Sequence, residues 1–385
     1  MHIRIATLNA WGLPEPLSDD PAARMHAIGE RLPALRLDAI AFQEVWTAGG
    51  REQLRRAGKK CGLEHVWGPH TLFGGSGLLL LSRWPILVSK LTDYALRGHP
   101  EQLTHGDYYG RKGYVRLRLA TPAGPVSLID THLHARYAAD VGHEYVPQRV
   151  GQIVQLALGA HGVADPLVAV GDFNFTDRHV EHRLLTDLTG LRDVARELDT
   201  PEPTVLRANP LRRSRKPDRR VDYVFARDGS RTRAVPRSIE RIFDDRPPKG
   251  SGILAYSNHA GLLAEIEISP VAQTLPRWQP RDESIALARR LLASGREAAD
   301  DRRLDGRVVA GAGLGFAALA AVGRRSIPTS RRRFLRTGLS GLALLALTPS
   351  IAGSALSEVL APNEMRAYED LSLALDRLRS DGTPA

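Results

Sequence analysis

The stretch GDFNFTD, from Gly171 to Asp177, follows directly on the apolar run PLVAV, Pro166 to Val170. A short apolar run bounded by turn residues is the signature of a buried strand. Side chains two residues apart on a strand point the same way, so Asp172 and Asn174 carry a carboxylate and an amide to one spot at its exit. That pairing suits the placing of a water and a phosphate oxygen. It also limits the fold, because the strand must run through a covered core and end at a polar site. Other segments up to residue 268 read similarly. Strands are expected at 3–8, 38–44, 77–82, 113–120, 126–131, 167–171, 221–226 and 260–268, and helices at 22–35, 51–62, 146–160 and 180–188. Dense strands with interspersed helices predict an α/β fold, with sheets covered by helices.

Composition narrows the class. Of 385 residues, 43% are hydrophobic and 25% charged, a globular balance, and the net charge is +10. A basic chain suits a polyanion or an anionic membrane surface; the dominance of Arg over Lys is also what GC-rich coding produces. Cys61 is the sole cysteine, which excludes an internal disulfide and a multi-thiolate metal site. The N-terminus, MHIRIATLN, reads as a first strand and not as a signal peptide. The basic loop NPLRRSRKPDRR, Asn209 to Arg220, is either a solvated surface loop or a rim that faces phosphate.

The composition changes after residue 268. Residues 269–306 read as a proline-bearing linker followed by a charged helix, roughly 284–305. Two uncharged runs follow, at 308–323 and 337–357, separated by the arginine-rich segment 324–336. A spanning helix needs about 20 apolar residues, so the first run is short, and the second contains Pro349. Gly311 and Gly315, four residues apart, would permit close helix contact, so 307–357 is expected to form a hydrophobic hairpin. A buried helix pair on the preceding α/β domain is the soluble alternative. GAGLG, Gly311 to Gly315, lacks the strand–helix–strand context of a dinucleotide loop. SRRRFLR, Ser330 to Arg336, has twin-arginine character but is internal. Residues 358–385 hold an amphipathic helix, with Met365, Tyr368, Leu371, Leu375 and Leu378 in helical register, and a tail.

Several polar residues sit at strand ends. Asn9 in LNAWG either ligates a metal through its oxygen or caps a turn. Glu44 closes the apolar AIAFQEVW; a carboxylate in that setting asks for a partner or a metal, and Mg²⁺ takes one or two carboxylates together with waters. THLHA carries His132 and His134 on one face. The pair has zinc-like spacing, but the carboxylate-rich company favours Mg²⁺. His132 is assigned to the phosphate, and His134 to a structural or rim role. Asp222, in the apolar RRVDYVF, can hold one ring nitrogen of His259 in YSNHA, which fixes its tautomer and lets it take a proton from water.

Taken in order, Asn9, Gln43-Glu44, Thr131-His132, Gly171-Asp172 with Asn174, Asp222-Tyr223, and Ser257 with His259 resemble the endonuclease/exonuclease/phosphatase superfamily over roughly residues 1–268. LNAWG, the helix carrying Arg24, Ile28, Gly29 and Leu32, QEVW, GSGL from Gly75, THLHA and GDYYGRKG from Gly106 are most similar to the Mg²⁺-dependent neutral sphingomyelinases of the membrane-anchored type. The resemblance implies a four-layer α/β/β/α sandwich of two packed mixed sheets covered by helices, followed by a C-terminal hydrophobic helical hairpin. It implies Mg²⁺, with Mn²⁺ as a substitute, on Glu44 and Asn9. Asn258 stands where the family usually has Asp, which puts a second cation in question.

The expected activity is hydrolysis of a phospholipid headgroup bond, as in sphingomyelin to ceramide and phosphocholine or in a related lipid. Glu44 and Asn9 hold the metal and His259, oriented by Asp222, takes the water proton. Asp172 places the water, Asn174 binds the phosphate and His132 offsets the developing charge. The alternatives are a nuclease or an inositol- or sugar-phosphate phosphatase, with nucleic acid the less favoured partner, and a non-catalytic membrane scaffold. Partners are a membrane phospholipid substrate and an anionic membrane surface, and the expected location is the membrane. The arginine-rich turn favours the cytoplasmic side, so a shallow hairpin entering from that face would leave the catalytic domain cytoplasmic.

Overall fold

The computed structural model describes residues 1–68, 76–102, 105–137, 145–212, 216–326 and 333–379. Gly75, the middle of the basic loop at 213–215 and the arginine-rich turn at 327–332 lie outside the described residues. The strands, in chain order, are β1 His2–Gly12, β2 Ala39–Val45, β3 His65–Trp67, β4 Leu79–Ser82, β5 Ile86–Asp93, β6 Gly113–Thr121, β7 Gly124–His132, β8 Leu167–Asp172, β9 Arg192–Asp193, β10 Asp222–Arg227, β11 Thr232–Ile242 and β12 Gly261–Pro270. The helices are α1 Pro21–Leu35, α2 Ala48–Lys60, α3 Val146–Ala160, α4 Val180–Thr189, α5 Val194–Glu197, α6 Asp282–Ser326, α7 Arg333–Ala355 and α8 Ala361–Ala374.

The strands form two six-stranded sheets, in the orders β11-β12-β1-β2-β4-β3 and β5-β6-β7-β8-β10-β9. Each sheet is antiparallel apart from one parallel pair, β1 with β2 in the first and β7 with β8 in the second. Sheet-to-sheet packing follows the two-residue period. Ile3, Ile5, Ala39, Ala41, Leu78 and Leu80 of the first sheet form one buried cluster with Val115, Leu117, Val126, Leu128, Val168, Val170 and Val224 of the second. The opposite face of the first sheet, with Ala6, Leu8, Ile40 and Phe42, packs on Met25, Ile28 and Leu32 of α1 and Leu54 of α2. On the second sheet, Tyr114 of β6 reaches α3, its hydroxyl donating to Gln155 O at 3.2 Å. The result is the expected four-layer sandwich.

Local signals explain most element ends. Pro21 opens α1, the Thr47 hydroxyl caps α2 by accepting the Gly50 N–H at 3.1 Å, and Gly190, at φ 72°, stops α4. β11 escapes a pattern reading because it carries Pro236 beside a register shift and is studded with charge. It lies at a sheet edge, where Pro is tolerated.

The chain divides into two compact units, one of residues 1–288 with 374–385 and one of residues 289–373. In the second unit the expected break between a charged helix and an apolar run does not occur, since both belong to α6, 45 residues long. The second apolar run is α7, which passes through a π-helical turn, Leu356–Leu360, into α8. The two arms touch through small residues, but at another helical phase from the one expected. A Cβ on Gly306 would lie 2.8 Å from Gly353 O and one on Gly313 2.3 Å from Ser350 Oγ, whereas Gly311 and Gly315 have nothing within 4 Å. Ser350 Oγ donates to Ala310 O at 3.1 Å across this contact. Both arms are long and apolar enough to cross a membrane, and their apolar stretches are mostly exposed.

Candidate active site

The inward faces that build the core also build the site. On β1 the inward series runs Ile3, Ile5, Thr7, Asn9, on β7 Val126, Leu128, Asp130, His132, and on β8 Val168, Val170, Asp172. Register then sets polar ends side by side, His132 opposite Asp172 and Asp172 opposite Asp222. Gly171 makes the strand exit fit, because its φ of 137° is disfavoured for other residues and a Cβ there would meet Thr131 O at 2.0 Å.

Glu44 follows another rule. Alternation turns Gln43 inward and would turn Glu44 away. Glu44 instead has φ 59°, beside the β1–β2 irregularity between Asn9 and Gly12. Such a left-handed residue stores strain of order 1–3 kcal/mol, and here it accompanies a carboxylate that reaches the site. The Asn9 amide nitrogen donates to Glu44 Oε1 and to Asp172 Oδ2, each at 3.0 Å, and so links a group from each sheet. Its amide oxygen accepts the Trp11 N–H at 3.0 Å. That bond uses one of the two lone pairs of the amide oxygen, so Asn9 caps the turn at Trp11 and bridges the two carboxylates with the other end of its amide.

His259 Nδ1 lies 2.8 Å from Asp222 Oδ2, which also accepts the Thr204 hydroxyl at 2.5 Å. Burial alone favours the neutral imidazole, but Asp222, by charge and hydrogen bond, outweighs it and raises His259 to about 9. Asp172 is pushed up to about 7 by burial, then by the charge of Asp222. The loop carrying His259 is tied to β1, with Ser257 Oγ donating to Asn9 O at 2.6 Å. Arg24 completes that tie. Its buried guanidinium donates to Ala10 O at 2.8 Å, Trp11 O at 2.7 Å and Tyr256 O at 3.2 Å, bracketing both Asn9 and His259.

Lys112 escaped the sequence reading. Its ammonium is buried, 2.9 Å from each of His132 Nε2, Leu133 O and Asp107 Oδ1. Burial, then the Lys112 charge, holds the His132 imidazole well below its usual range. Burial opposes ionisation of Asp107, but Lys112 and the nearby histidines outweigh it and hold this carboxyl below its usual range. Among the described residues that line the cleft, Lys112 brings an ammonium group within reach of His132. His134 is buried beside Asp107, with Nδ1 at 2.8 Å from Ala135 O, and burial lowers it to about 4. Asn174, at φ 53°, donates its side-chain amide to Leu133 O at 2.9 Å, and its N–H goes to Asp172 Oδ1 at 3.0 Å.

Glu44, Lys112, His132, Asp172, Asn174, Asn258 and His259 all face one cleft of about 880 Å³, whose walls include Trp11, Trp46, Tyr109 and Tyr137. The donor set fits a hard divalent cation. Buried carboxylates converge, donor atoms of Asp172, Asp222 and His259 lie within 4.8 Å of one another, and Asp222 Oδ1 is buried without a hydrogen-bond partner. A lysine signal could have been sought in GDYYGRKG, where Asp107 and Lys112 stand five residues apart, but only the fold turns both onto His132 and His134.

Comparison with known proteins agrees with this geometry. The model of the endonuclease/exonuclease/phosphatase family matches residues 6–259. The chain is 27% identical over 331 residues to the inositol phosphosphingolipids phospholipase C of Schizosaccharomyces pombe, covering 77% of this chain and 76% of that protein. It is 32% identical over 200 residues to the sphingomyelin phosphodiesterase 2 of Homo sapiens, covering 50% of this chain and 46% of that protein. A Drosophila melanogaster relative, 27% identical over 281 residues and 70% of this chain, is matched over 61% of its own length. Among solved structures, D. rerio TDP2 complexed with single-strand DNA product superposes with a TM-score of 0.55 at 17% identity, covering 69% of this chain and 99% of that one. Sphingomyelinase C from Streptomyces griseocarneus gives 0.51 at 15% identity with the same coverage. The solved structures share the fold, and the sequence match extends from the first strand to the final histidine, so the chain belongs to the endonuclease/exonuclease/phosphatase family.

Proposed function

We propose that this chain is a metal-dependent phosphodiesterase that hydrolyses a phosphosphingolipid between its ceramide oxygen and the phosphorylated headgroup, as the names of its sphingomyelinase and phosphosphingolipid phospholipase C relatives describe for those proteins. The observation that carries the reading is the buried Asp222–His259 pair facing, in one cleft, carboxylates from both sheets and a buried lysine. Asp222 keeps a proton on His259 Nδ1, and a divalent cation bound in the cleft would favour the neutral ring, whose Nε2 takes a proton from water. The water oxygen attacks phosphorus in line, the bond to the ceramide oxygen breaks, and that oxygen leaves as the alcohol with a proton from solvent, while the water proton stays on His259 until it too passes to solvent. Asp172 orients that water, and Asn174 and Lys112 face the phosphate, where the ammonium offsets charge that grows on its oxygens. His132 and Asp107 hold Lys112 in place. Glu44 and Asp172 would hold Mg²⁺, in the cleft that Asn258 also lines, and bound there it would polarise a phosphate oxygen.

The helical unit supports a membrane location for this chemistry. Its exposed apolar arms would insert from the cytoplasmic face, keep the arginine-rich end on that side and leave the catalytic unit facing the cytoplasm. The test is the full-length protein in detergent, with Mg²⁺ or EDTA, against sphingomyelin, an inositol phosphosphingolipid and plasmid DNA. Headgroup phosphate released only with Mg²⁺ is the expected result, and Mg²⁺-dependent DNA cleavage without lipid turnover overturns the reading. Protease digestion of intact and permeabilised cells tests the orientation.

A further inference from the structure

Between the apolar core and the reaction centre lies a layer of three buried polar side chains, Thr7 on β1, Gln43 on β2 and Asp130 on β7, each with no exposed surface. They occupy the inward positions directly after Ile5, Ala41 and Leu128 and stand beneath Asn9, Glu44 and His132. Gln43 Nε2 donates to Asp130 Oδ1 at 2.6 Å, crossing from the first sheet to the second. It also donates to Thr7 Oγ1 at 3.1 Å. Asp130 Oδ2 is buried without a hydrogen-bond partner.

A polar layer of this kind is not needed for stability. Replacing both partners of a buried hydrogen bond by apolar groups of similar shape is often neutral or stabilising. Its position accounts for it. Glu44 belongs to the first sheet and Asp172 to the second, so a cation held by both straddles the sandwich, and the distance between the sheets sets the distance between its ligands. Greasy contacts permit small slides, whereas a short directional hydrogen bond fixes one spacing. Sites of this kind need their groups held to within about 0.5 Å.

We propose that Thr7, Gln43 and Asp130 form an inter-sheet strut whose role is to set the separation of Glu44 from Asp172, making Gln43 and Asp130 positioning residues for the metal site. The proposal rests on the metal-dependent reading above. Loss of groups that support metal ligands typically weakens metal binding 10–100-fold.

The test uses the full-length protein in detergent with Mn²⁺ as the probe, measured by calorimetric titration, alongside thermal unfolding and Mg²⁺-dependent turnover. A triple variant, Thr7→Val, Gln43→Met and Asp130→Leu, makes the layer apolar. It should unfold at or above the wild-type temperature, bind Mn²⁺ at least about tenfold more weakly, and need proportionately more Mg²⁺ while keeping kcat near wild type at saturation. Asp130→Asn, which retains the acceptor for Gln43, should bind Mn²⁺ as the wild type does. A folded triple variant with wild-type Mn²⁺ affinity overturns the strut. If the triple variant does not fold, Asp130→Asn against Asp130→Ser carries the test: affinity kept by Asn and lost by Ser supports the strut, and equal affinity overturns it. Wild-type protein that binds no Mn²⁺ overturns the metal reading itself, and the strut's role with it, whereas failure of the variants alone overturns only the strut.

Discussion

The two units solve opposite problems with the same residues. In the catalytic unit Phe42 and Leu128 are fully buried, and polar groups gather where the inward faces run out. In the helical unit the small residues Gly306, Gly313, Ser350 and Gly353 lie inside, and Leu319, Leu344 and Ile351 point outward, each at least 70% exposed. Water explains the first arrangement and not the second. A helix pair whose outside is more apolar than its inside suits lipid, where close packing of small residues replaces the hydrophobic effect as the force between helices. At the α8 end of the same unit the character returns to aqueous, with Arg296 paired to Glu369 and Arg307 to Glu358.

Removing the base should break the comparison most sharply, because all the chemistry belongs to the first unit. His259→Ala should lower kcat by about 10²–10⁴-fold while the protein still melts cooperatively and still floats with vesicles. Near-normal turnover would remove His259 from the mechanism. The next effect is a matched pair. Leu128→Ala should destabilise the catalytic unit by about 2–5 kcal/mol through the cavity it leaves, whereas Leu344→Ala should scarcely change unfolding in detergent. Equal losses would mean that Leu344 is packed like a core residue. Leu344→Arg then sharpens the lipid reading. It should cost about 2.5–3.5 kcal/mol of bilayer insertion, seen as lost vesicle flotation, with turnover of a detergent-solubilised substrate unchanged.

The smallest effect is the pH dependence of the metal-free catalytic unit. Asp172 and His259 are raised on folding, from 3.8 to about 7 and from 6.5 to about 9. Each therefore contributes stability that is lost as pH rises through its folded value. His132 and His134 are lowered, so above pH 6.5 they are neutral in both states and add no slope. Between pH 6.5 and about 9 metal-free protein should lose stability as Asp172 and then His259 give up protons. A bound divalent cation favours the deprotonated forms, so the rise in Tm produced by Mg²⁺ should grow with pH across this window, with proton release on binding. A Tm rise independent of pH would place the cation away from both groups.

Much of the site was legible because a period of two is visible in a sequence. Asn9, His132 and Asp172 each close an inward series and Asp222 opens one, and such series can be counted without coordinates. Glu44 was legible by residue type and setting, but its reach depends on a left-handed backbone that alternation cannot express. Lys112 and Thr204 were not legible. They lie outside the strand ends, and their partners, His132 and Asp222, are 20 and 18 residues away. The direction of the Asn9 amide was equally hidden, since it is settled by the Trp11 N–H.

What the sequence determined by itself, then, is the set of strands, the polar residues that end them, the family they belong to and the apolar character of residues 308–357, because local pattern and composition carry all of these. What only the tertiary structure decided is where charge and spacing come from: the buried Lys112 beside His132, Asn9 as a bridge between carboxylates, the Thr7–Gln43–Asp130 layer between the sheets, and Gly306 and Gly313 as the contact face of the helical arms. The reason is physical. Each depends on the distance between groups brought together from separate elements, and pattern along a chain records direction but not distance.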